Sequence, residues 1–315
     1  MNSRQNPRDH GGGLDAAVEA YGGTRDSWLD LSTGINPVPY PVPPLVPQDW
    51  TALPDRNAAA AVLQAARSFW QVPEGADILA APGASALIAR IPALAGPGRV
   101  AIAQPTYNEH AAAFTACDWQ VVEAGPCDAQ VVVHPNNPDG RLWSESDLAA
   151  DLTVIDESFC DVAPAHSLVH LAARPGVIVL KSFGKFWGLA GLRLGFAIAS
   201  PEAVARLSDL LGPWPVSGPA LRIGAHALRD LAWTEATRHR LRTDASRLDQ
   251  LLTRHGATCV GGTDLFRLYH VDKARSWQDR LARAHVWSRV FPYSDHFLRL
   301  GLPAPDQWPQ LEAAL

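Results

Sequence analysis

The residues of this sequence that could do chemistry are concentrated between residues 181 and 195, in the run KSFGKFWGLAGLRLG. Within this run Ser182 lies three residues before Lys185, and Arg193 lies eight residues after it. Lysine is scarce here, with only three lysines among 27 basic residues. A lone lysine in a Gly-rich loop is most often an ordinary solvated residue. A hydroxyl and a guanidinium on either side of an amine, however, indicate a cofactor that is bound as a Schiff base and carries a phosphate. The paired N–H groups of an Arg side chain form charge-assisted hydrogen bonds to phosphate oxygens.

The elements that must position this run are strands and helices in alternation. The apolar stretch Val177–Leu180, just before the run, predicts a buried strand. The alternation extends from residue 57 to residue 211 and favours an α/β fold with a mainly parallel sheet, in which ligands bind at the carboxyl ends of the strands. The predicted strands are 78–81, 100–103, 120–123, 131–134, 153–155, 177–180 and 194–199, and the predicted helices are 57–71, 86–94, 144–151 and 201–211.

A break at Gly212-Pro213-Trp214-Pro215 predicts the end of a large domain that spans residues 48–215. Beyond it, residues 216–315 predict a small α+β domain. Its expected helices are 219–231, 233–255 and 276–284, and its expected strands are 265–270, 286–291 and 297–302. Residues 1–47 predict an irregular arm with one short amphipathic stretch, since the proline density after Pro37 blocks regular structure.

Composition excludes several classes of protein. With 315 residues and 47% apolar content the chain can bury a large core. The net charge of -5 without a basic stripe argues against a nucleic-acid partner. The sequence has no long uncharged apolar run and a polar start, which predicts a cytoplasmic protein with no membrane contact. Its four cysteines lack paired ligand spacing, so neither a metal site nor a disulfide framework is expected.

The lysine run resembles a known cofactor motif. Ser-x-x-Lys followed by Gly-Leu-Arg-x-Gly is similar to the cofactor-lysine motif of fold-type I pyridoxal-phosphate enzymes, and the resemblance covers nearly the whole chain. Within that group the sequence resembles the histidinol-phosphate aminotransferases and the threonine-phosphate decarboxylases. The resemblance implies that pyridoxal 5'-phosphate is carried by Lys185, with Ser182 and Arg193 as ligands of its phosphate.

A second phosphate contact is expected where the predicted strand 78–81 ends. A strand, a Gly turn and the start of a helix together present backbone N–H groups to an anion, although Gly turns before helices are common. The resemblance implies that Gly83, Ala84 and Ser85 cradle the cofactor phosphate. Ala84 departs from the family pattern, in which Asn is frequent.

The cofactor ring is expected to contact residues that follow three other strands. The resemblance gives Tyr107 a stacking role on the pyridine ring, and it gives Asn137, in the turn Asn-Pro-Asp-Gly, a hydrogen bond to the phenolate oxygen. An acid at the end of a buried strand is costly unless paired, so Asp156 is expected to pair with the protonated pyridine nitrogen. Glu157 is expected to be its more exposed neighbour. Phe159 stands where aminotransferases carry Tyr.

The expected substrate ligands lie at the two ends of the chain. His-Gly-Gly and Gly-Ile-Asn-Pro resemble the N-terminal signature of the threonine-phosphate decarboxylases, which implies an arm folded over the active site. His10, Gly34 and Asn36 are then expected to hold the substrate. The family's Leu-Arg motif implies that Arg299 binds the substrate α-carboxylate, and Arg289 is a less specific candidate for a substrate phosphate.

The predicted function is decarboxylation of L-threonine O-3-phosphate to (R)-1-amino-2-propanol O-phosphate, for cobalamin biosynthesis. The alternative is an aminotransferase acting on histidinol phosphate or a related amino acid, because the sequence does not show which substrate bond is presented to the ring. A non-catalytic regulator of the same fold is disfavoured, since it would carry a preceding DNA-binding domain. A small phosphorylated amino acid and a homodimer are the expected partners, although Leu53 replaces the tyrosine that relatives extend to the neighbouring subunit.

Overall fold

A computed structural model describes residues 10–315 of the chain, so residues 1–9 of the predicted arm lie outside the described part. Its strands are β1 (Leu29–Asp30), β2 (Asp77–Ala81), β3 (Arg99–Ile102), β4 (Gln120–Val122), β5 (Ala129–Val133), β6 (Leu152–Asp156), β7 (Val177–Ser182), β8 (Gly195–Ala199), β9 (Thr258–Thr263), β10 (Phe266–His270), β11 (Val286–Trp287), β12 (Arg289–Phe291) and β13 (Ser294–Gly301). Its helices are α1 (Leu14–Tyr21), α2 (Pro47–Thr51), α3 (Arg56–Phe69), α4 (Ala84–Ile88), α5 (Asn108–Ala116), α6 (Pro201–Leu211), α7 (Gly218–Ala227), α8 (Leu231–Arg254), α9 (Ala274–Arg283) and α10 (Trp308–Ala314).

Seven strands form the central sheet, in the order β2-β8-β7-β6-β5-β3-β4. The five strands from β7 to β4 are parallel, and β8 runs antiparallel to both of its neighbours, β7 and β2. The α/β fold with a mainly parallel sheet is therefore confirmed. Because β5, β6 and β7 run in the same direction, the loops that follow them meet at one edge of the sheet.

The middle strands are apolar throughout because both faces of the sheet are covered. Successive side chains on β6 enter different clusters, with Ile155 in one core and Val154 in the other, and both have no exposed surface. Successive side chains of a strand point to opposite faces of the sheet, and helices pack on each face. The short apolar runs in the sequence therefore mark strands that hold the loops after them in fixed positions.

The small domain contains a four-stranded antiparallel sheet, in the order β12-β13-β10-β9. The arm reaches this domain through β1, which pairs in parallel with β11 so that Leu29 lies opposite Val286. The sequence did not predict β1 or β9, and the predicted strand 286–291 is divided into β11 and β12. A two-residue strand and the Gly-containing run TCVGGT carry too weak a local signal, and their partners along the sheet decide their conformation.

The predicted helix 144–151 is wrong, because only the three residues Glu145–Asp147 form a 3₁₀ turn. The physical reason is tertiary. The side chain of Gln130 on β5 donates to Asp147 O at 2.8 Å and accepts from Ala149 N at 3.2 Å, so these backbone groups are hydrogen-bonded to the sheet and not to one another. Such side-chain hydrogen bonds compete with helix formation.

Helix α7 packs against α3 beside the central sheet, although it begins after residue 215. Helix α8 contacts β9 and β10 of the small sheet. The boundary between the two domains at residue 215 stays a prediction. Among residues 10–315, no helix combines the length and the apolar character needed to cross a bilayer.

Candidate active site

A cavity of about 340 Å³ opens where the loops after the parallel strands face the small domain and the arm. The loops after β3, β5 and β7 and the hairpin between β12 and β13 all contribute to its wall. The cavity brings together seven of the residues that the sequence predicted: His10, Gly34, Tyr107, Asn137, Lys185, Arg289 and Arg299. These residues are up to 289 positions apart in the chain, which is the difference between positions 10 and 299.

Lys185 lies in the loop after β7, with its Nζ 5.2 Å from the centre of the Phe159 ring. Burial and the positive charge of Arg299 lower the pKa of this amine to about 8, while Asp156 opposes the shift and Arg193 adds to it. A lysine in this environment is partly neutral near physiological pH, and only the neutral amine is a nucleophile. The amine of Lys185 can therefore act as the nucleophile that the predicted Schiff base requires.

Asp156 is the last residue of β6 and is buried, with a 3% exposed surface. Its Oδ2 lies 2.9 Å from Nε2 of the buried His110, and its Oδ1 accepts from the backbone N–H of Ser158 at 3.0 Å and from the Ser158 hydroxyl. Burial alone would raise the pKa of Asp156, but the hydrogen bonds from His110 and Ser158 outweigh it and hold the pKa below its usual value. The carboxylate therefore stays ionised.

Arg193 and Gly83 lie against each other, and although neither lines the cavity, the charge of Arg193 acts on the Lys185 amine. A Cβ atom on Gly83, whose φ is 82°, would lie 2.5 Å from Nη2 of Arg193, so no larger residue fits without moving the guanidinium. Arg193 Nη1 donates to Ala190 O at 3.0 Å, and the Ser182 hydroxyl oxygen accepts from Gly184 N at 3.2 Å. A guanidinium, a hydroxyl and a Gly turn in one place form a suitable cradle for a phosphate.

The other two residues of the predicted phosphate loop differ in exposure. Ala84 is buried at the start of α4, and Gly195 of β8 packs so closely that its Cβ would lie 2.4 Å from Ala84 N. Ser85 is exposed and does not line the cavity. The roles of Gly83, Ala84 and Ser85 as phosphate ligands stay predictions.

Arg299 is the buried cation of the cavity, with a 5% exposed surface. Its Nη1 donates to Asn137 Oδ1 and its Nη2 donates to Ser32 O at 2.7 Å, while its Nε has no hydrogen-bond partner among the described residues. Burial and the charge of Arg289 lower the pKa of Arg299 to about 10. A buried guanidinium whose contacts are neutral, and whose Nε is unsatisfied, is a site for an anion such as a carboxylate.

Asn137 faces the cavity because its neighbour fixes the loop. Asn136 is buried, and its amide accepts from the Thr106 hydroxyl at 2.6 Å and donates to Asp139 at 2.8 Å. With the oxygen of Asn137 bound to Arg299, its amide N–H₂ is the group that can donate to a ligand. The geometry is compatible with the predicted contact to a phenolate oxygen.

His10 lies at the rim of the cavity, where the arm contacts both domains. Its Nε2 is 2.8 Å from Glu109 Oε1, and its carbonyl oxygen accepts from Arg289 Nη1 at 2.6 Å. Its ring centre is 6.0 Å from that of Tyr107, the residue just before α5. His10 and Arg289 therefore lie on the same side of the cavity, and the folding of the arm over an active site stays a prediction.

Asn36 does not line the cavity, so its predicted substrate contact is not supported and we correct it. Its side chain is 2% exposed and forms its hydrogen bonds with other groups of the protein. The amide donates to Phe186 O at 2.8 Å and accepts from Val38 N at 3.0 Å and from Arg240 at 2.6 Å. Gly34 does line the cavity, where a Cβ would lie 2.8 Å from the Phe266 ring and 3.0 Å from the Phe159 ring.

The expectation that Glu157 is more exposed than Asp156 is wrong. Glu157 is 1% exposed and forms an ion pair with Lys181 Nζ, which is equally buried. The same Nζ lies 3.8 Å from Asp161, whose two oxygens accept from the indole N–H groups of Trp70 at 2.9 Å and Trp187 at 3.0 Å. Glu157 and Asp161 together raise the pKa of Lys181 despite its burial, so the lysine stays charged.

The sequence reasoning also missed His110, which hydrogen-bonds Asp156 from 46 positions earlier in the chain. The available signal was a histidine inside the otherwise small and apolar helix segment HAAAF. His134, Glu157 and Cys160 bring potential metal-ligand atoms within 4.8 Å of one another. However, His134 already bonds His166 O and Trp143 N through its two ring nitrogens, and Glu157 is paired with Lys181.

Comparison with known proteins gives related sequences and folds over most of the chain. Residues 45–308 match the profile of the family Aminotransferase class I and II. A threonine-phosphate decarboxylase of Sinorhizobium sp is 39% identical, covering 95% of this chain and 94% of that protein. One of Pseudomonas aeruginosa is 38% identical, covering 98% and 97%. The solved histidinol-phosphate aminotransferase of Clostridium acetobutylicum has the same fold, with a TM-score of 0.80 at 19% identity, covering 91% of this chain and 97% of that one.

Proposed function

The chain belongs to the class I and II aminotransferase family, and on this premise we propose that it decarboxylates L-threonine O-3-phosphate to (R)-1-amino-2-propanol O-phosphate, a step of cobalamin biosynthesis. Its cofactor is pyridoxal 5'-phosphate. The observation that carries the substrate assignment is that two guanidinium groups, Arg289 and Arg299, line one cavity with the amine of Lys185. Threonine phosphate has two anionic groups, a carboxylate and a phosphate, whereas histidinol phosphate has a phosphate and no carboxylate.

The residues present fit this cofactor. Lys185 offers an amine with a lowered pKa, Asp156 offers a buried carboxylate for a protonated ring nitrogen, and Arg193 with Ser182 offers donors for a phosphate. Tyr107 and Asn137 would contact the ring and its phenolate oxygen. The chemistry that pyridoxal phosphate supplies when bound is delocalisation of the electron pair left on the substrate's Cα after a bond there breaks.

The chain's own residues orient the substrate and handle its protons. Arg299 binds the α-carboxylate through the donor that no protein group uses, and Arg289 and His10 bind the phosphate at the rim. Loss of carbon dioxide leaves an electron pair at Cα that must take up a proton. Lys185 Nζ, which becomes protonated near pH 8, is the group placed to hold and return that proton.

Asp156 remains ionised throughout, because His110 and Ser158 satisfy its oxygens and no water has to reorganise around it. The arm and the β12–β13 hairpin line the cavity, with the phosphate contact at its exposed rim. The buried Arg299 binds the substrate carboxylate away from bulk water. Charge-assisted hydrogen bonds are stronger in such an environment.

The test is an assay of the purified enzyme with threonine phosphate as the only substrate. We expect carbon dioxide to be released in step with the amine product, without accumulation of the amine form of the cofactor. Rapid conversion to that amine form, with a keto acid as product, would replace the decarboxylase by an aminotransferase. Comparing threonine phosphate with histidinol phosphate in the same assay separates the two substrate assignments.

We also propose that the enzyme works as a homodimer. The support is an apolar surface at α2 and the loop after it, where Trp50 of α2 is 70% exposed and Leu53 of the loop is 67% exposed. A groove of about 1020 Å³ lies beside them, lined by α2, α3 and α7. Contiguous exposed apolar surface of this kind marks an interaction site.

A further inference from the structure

Residues 36–40 of the arm hydrogen-bond three successive carbonyl groups of the loop that carries Lys185. Asn36 N donates to Lys185 O at 3.0 Å. The side-chain Nδ2 of Asn36 donates to Phe186 O at 2.8 Å, and Tyr40 N donates to Trp187 O at 2.9 Å. The arm therefore fixes the backbone of the lysine loop directly, in addition to lining the cavity.

Arg240 of α8 determines which way the Asn36 amide points. Arg240 Nη2 donates to Asn36 Oδ1 at 2.6 Å, and the same oxygen accepts from Val38 N at 3.0 Å. With two donors on its oxygen, the amide must direct its N–H₂ group towards Phe186 O. Arg240 is itself held by Asp244, one turn further along the same helix, at 3.2 Å.

The lysine loop has a second anchor that does not depend on the arm. Trp187 donates its indole N–H to Asp161 at 3.0 Å and stacks on Phe183, with ring centres 4.9 Å apart and planes at 10°. Trp187 has no exposed surface. Weakening the contact at Asn36 should therefore shift the loop around Lys185 without unfolding it.

We propose that Asn36, held in orientation by Arg240, is a positioning residue that sets how far the amine of Lys185 reaches into the cavity. The contact runs from α8, which packs on the small sheet, through the arm to the lysine loop beside the large sheet. This inference rests on the proposed function only in taking Lys185 as the lysine that carries the cofactor.

The position of the amine has a measurable consequence. Burial and Arg299 lower the pKa of Lys185 to about 8, with Arg193 adding to the shift and Asp156 opposing it. Arg240 is not among the charges that act on this amine. We therefore assign a change in the pKa of Lys185 on replacing Arg240 to the position of the loop, because an amine that moves away from Arg299 or towards solvent has a higher pKa.

The experiment uses the full-length chain freed of cofactor, with pyridoxal 5'-phosphate as the probe. The rate of its attachment to Lys185 is followed by visible absorbance across a pH series for wild type, Asn36→Ala, Arg240→Met, Arg240→Lys and the control Arg242→Met. Arg242 lies on the same helix and is exposed. Thermal unfolding of each chain checks its fold.

In Asn36→Ala and Arg240→Met we expect the midpoint of the pH profile to rise. At a fixed pH below the midpoint, attachment should slow about tenfold for each unit of that rise. Turnover with threonine phosphate should fall in kcat more than KM changes. Arg240→Lys, which keeps a donor, should recover much of the loss, and Arg242→Met should match wild type. Should Arg240→Met fail to fold, Arg240→Ala, which also removes the donor, provides the same comparison.

Wild-type profiles in Asn36→Ala and Arg240→Met would overturn the inference and leave the proposed function standing. Failure of wild type itself to take up pyridoxal phosphate on Lys185 would overturn the proposed function. An equal loss of attachment rate in Arg242→Met and Arg240→Met would also overturn the inference, since the effect would then come from the positive charge on α8.

Discussion

Lys185 combines a primary amine with a cavity that favours its neutral form, because burial and Arg299 lower its pKa to about 8. We predict that pyridoxal phosphate attaches to the cofactor-free protein at a rate that rises with pH and levels off above about 8. The sign follows from the nucleophile, which is the deprotonated amine. Stopped-flow absorbance measures the rate. Lys185→Ala should lose the absorbance band of the covalently attached cofactor, and Lys273→Ala, at an exposed position, should retain it; that band in Lys185→Ala would refute the assignment.

Asp156 is the second residue whose chemistry can be tested alone. Asp156→Asn keeps the shape of the side chain but removes the charge that would hold a ring nitrogen protonated. We predict that turnover falls by orders of magnitude while the cofactor still binds, as measured by steady-state assay and by absorbance. Asp151→Asn, an exposed neighbour, serves as the control. Full activity in Asp156→Asn would show that the ring's electron-withdrawing character is maintained by another group.

His10 tests the substrate contact at the rim. We predict that His10→Ala leaves the cofactor spectrum unchanged but weakens threonine phosphate more than threonine, because only the former offers a phosphate to the imidazole. A charge-assisted hydrogen bond corresponds to about 1.5–3 kcal/mol, measured as the change in the kcat/KM ratio of the two substrates. Asn36→Ala, in contrast, should affect both substrates equally, since Asn36 contacts the lysine loop. An unchanged ratio in His10→Ala would remove His10 from the phosphate site.

At the scale of elements, the ends of β6 and β7 are joined behind the cavity by the buried pair Glu157–Lys181. The two side chains are 0% and 2% exposed. Lys181→Met leaves the buried glutamate with hydrogen bonds from Ser167 and Leu168 but without a countercharge, so we predict a loss of about 3–5 kcal/mol in the free energy of unfolding. Urea denaturation followed by tryptophan fluorescence measures it.

Two further variants show whether the destabilisation comes from the lost ion pair or from a general loss of packing. The double variant Lys181→Met/Glu157→Gln removes both charges and should recover most of the loss. Arg174→Met, which breaks the exposed pair with Glu145, should cost less than about 1 kcal/mol. A Lys181→Met protein as stable as wild type would mean that Glu157 takes up a proton when unpaired.

At the scale of the whole molecule, the exposed apolar residues of α2 and the loop after it predict self-association. We expect sedimentation velocity to show a dimer at micromolar concentrations, and Leu53→Asp to shift it to monomer by placing a charge within the apolar surface. Val260→Asp is the matched control, because Val260 is 47% exposed on β9 of the small sheet. A monomeric wild type, or a dimer unaffected by Leu53→Asp, would exclude this surface as the interface.

The sequence by itself determined the fold class, and it predicted the candidate site residues, because those signals are local. Apolar runs of strand length mark the buried strands, and the spacing of Ser182, Lys185 and Arg193 is short enough to read directly. The resemblance of the motifs added the cofactor and the order of its ligands. The local signal did not predict β1 and β9, whose conformation depends on the strands that pair with them. It also predicted a helix at 144–151, where the side chain of Gln130 binds the backbone instead.

Only the tertiary structure decided which polar residues face the cavity and which are used inside the protein. Asn36 is itself a predicted substrate ligand and Glu157 follows Asp156 in the sequence, yet Asn36 is bound to Phe186 and Arg240, and Glu157 to Lys181. A buried polar group must find its partner wherever the fold brings one within reach. Those partners are 24 to 204 positions away in the chain, so no local pattern could predict them.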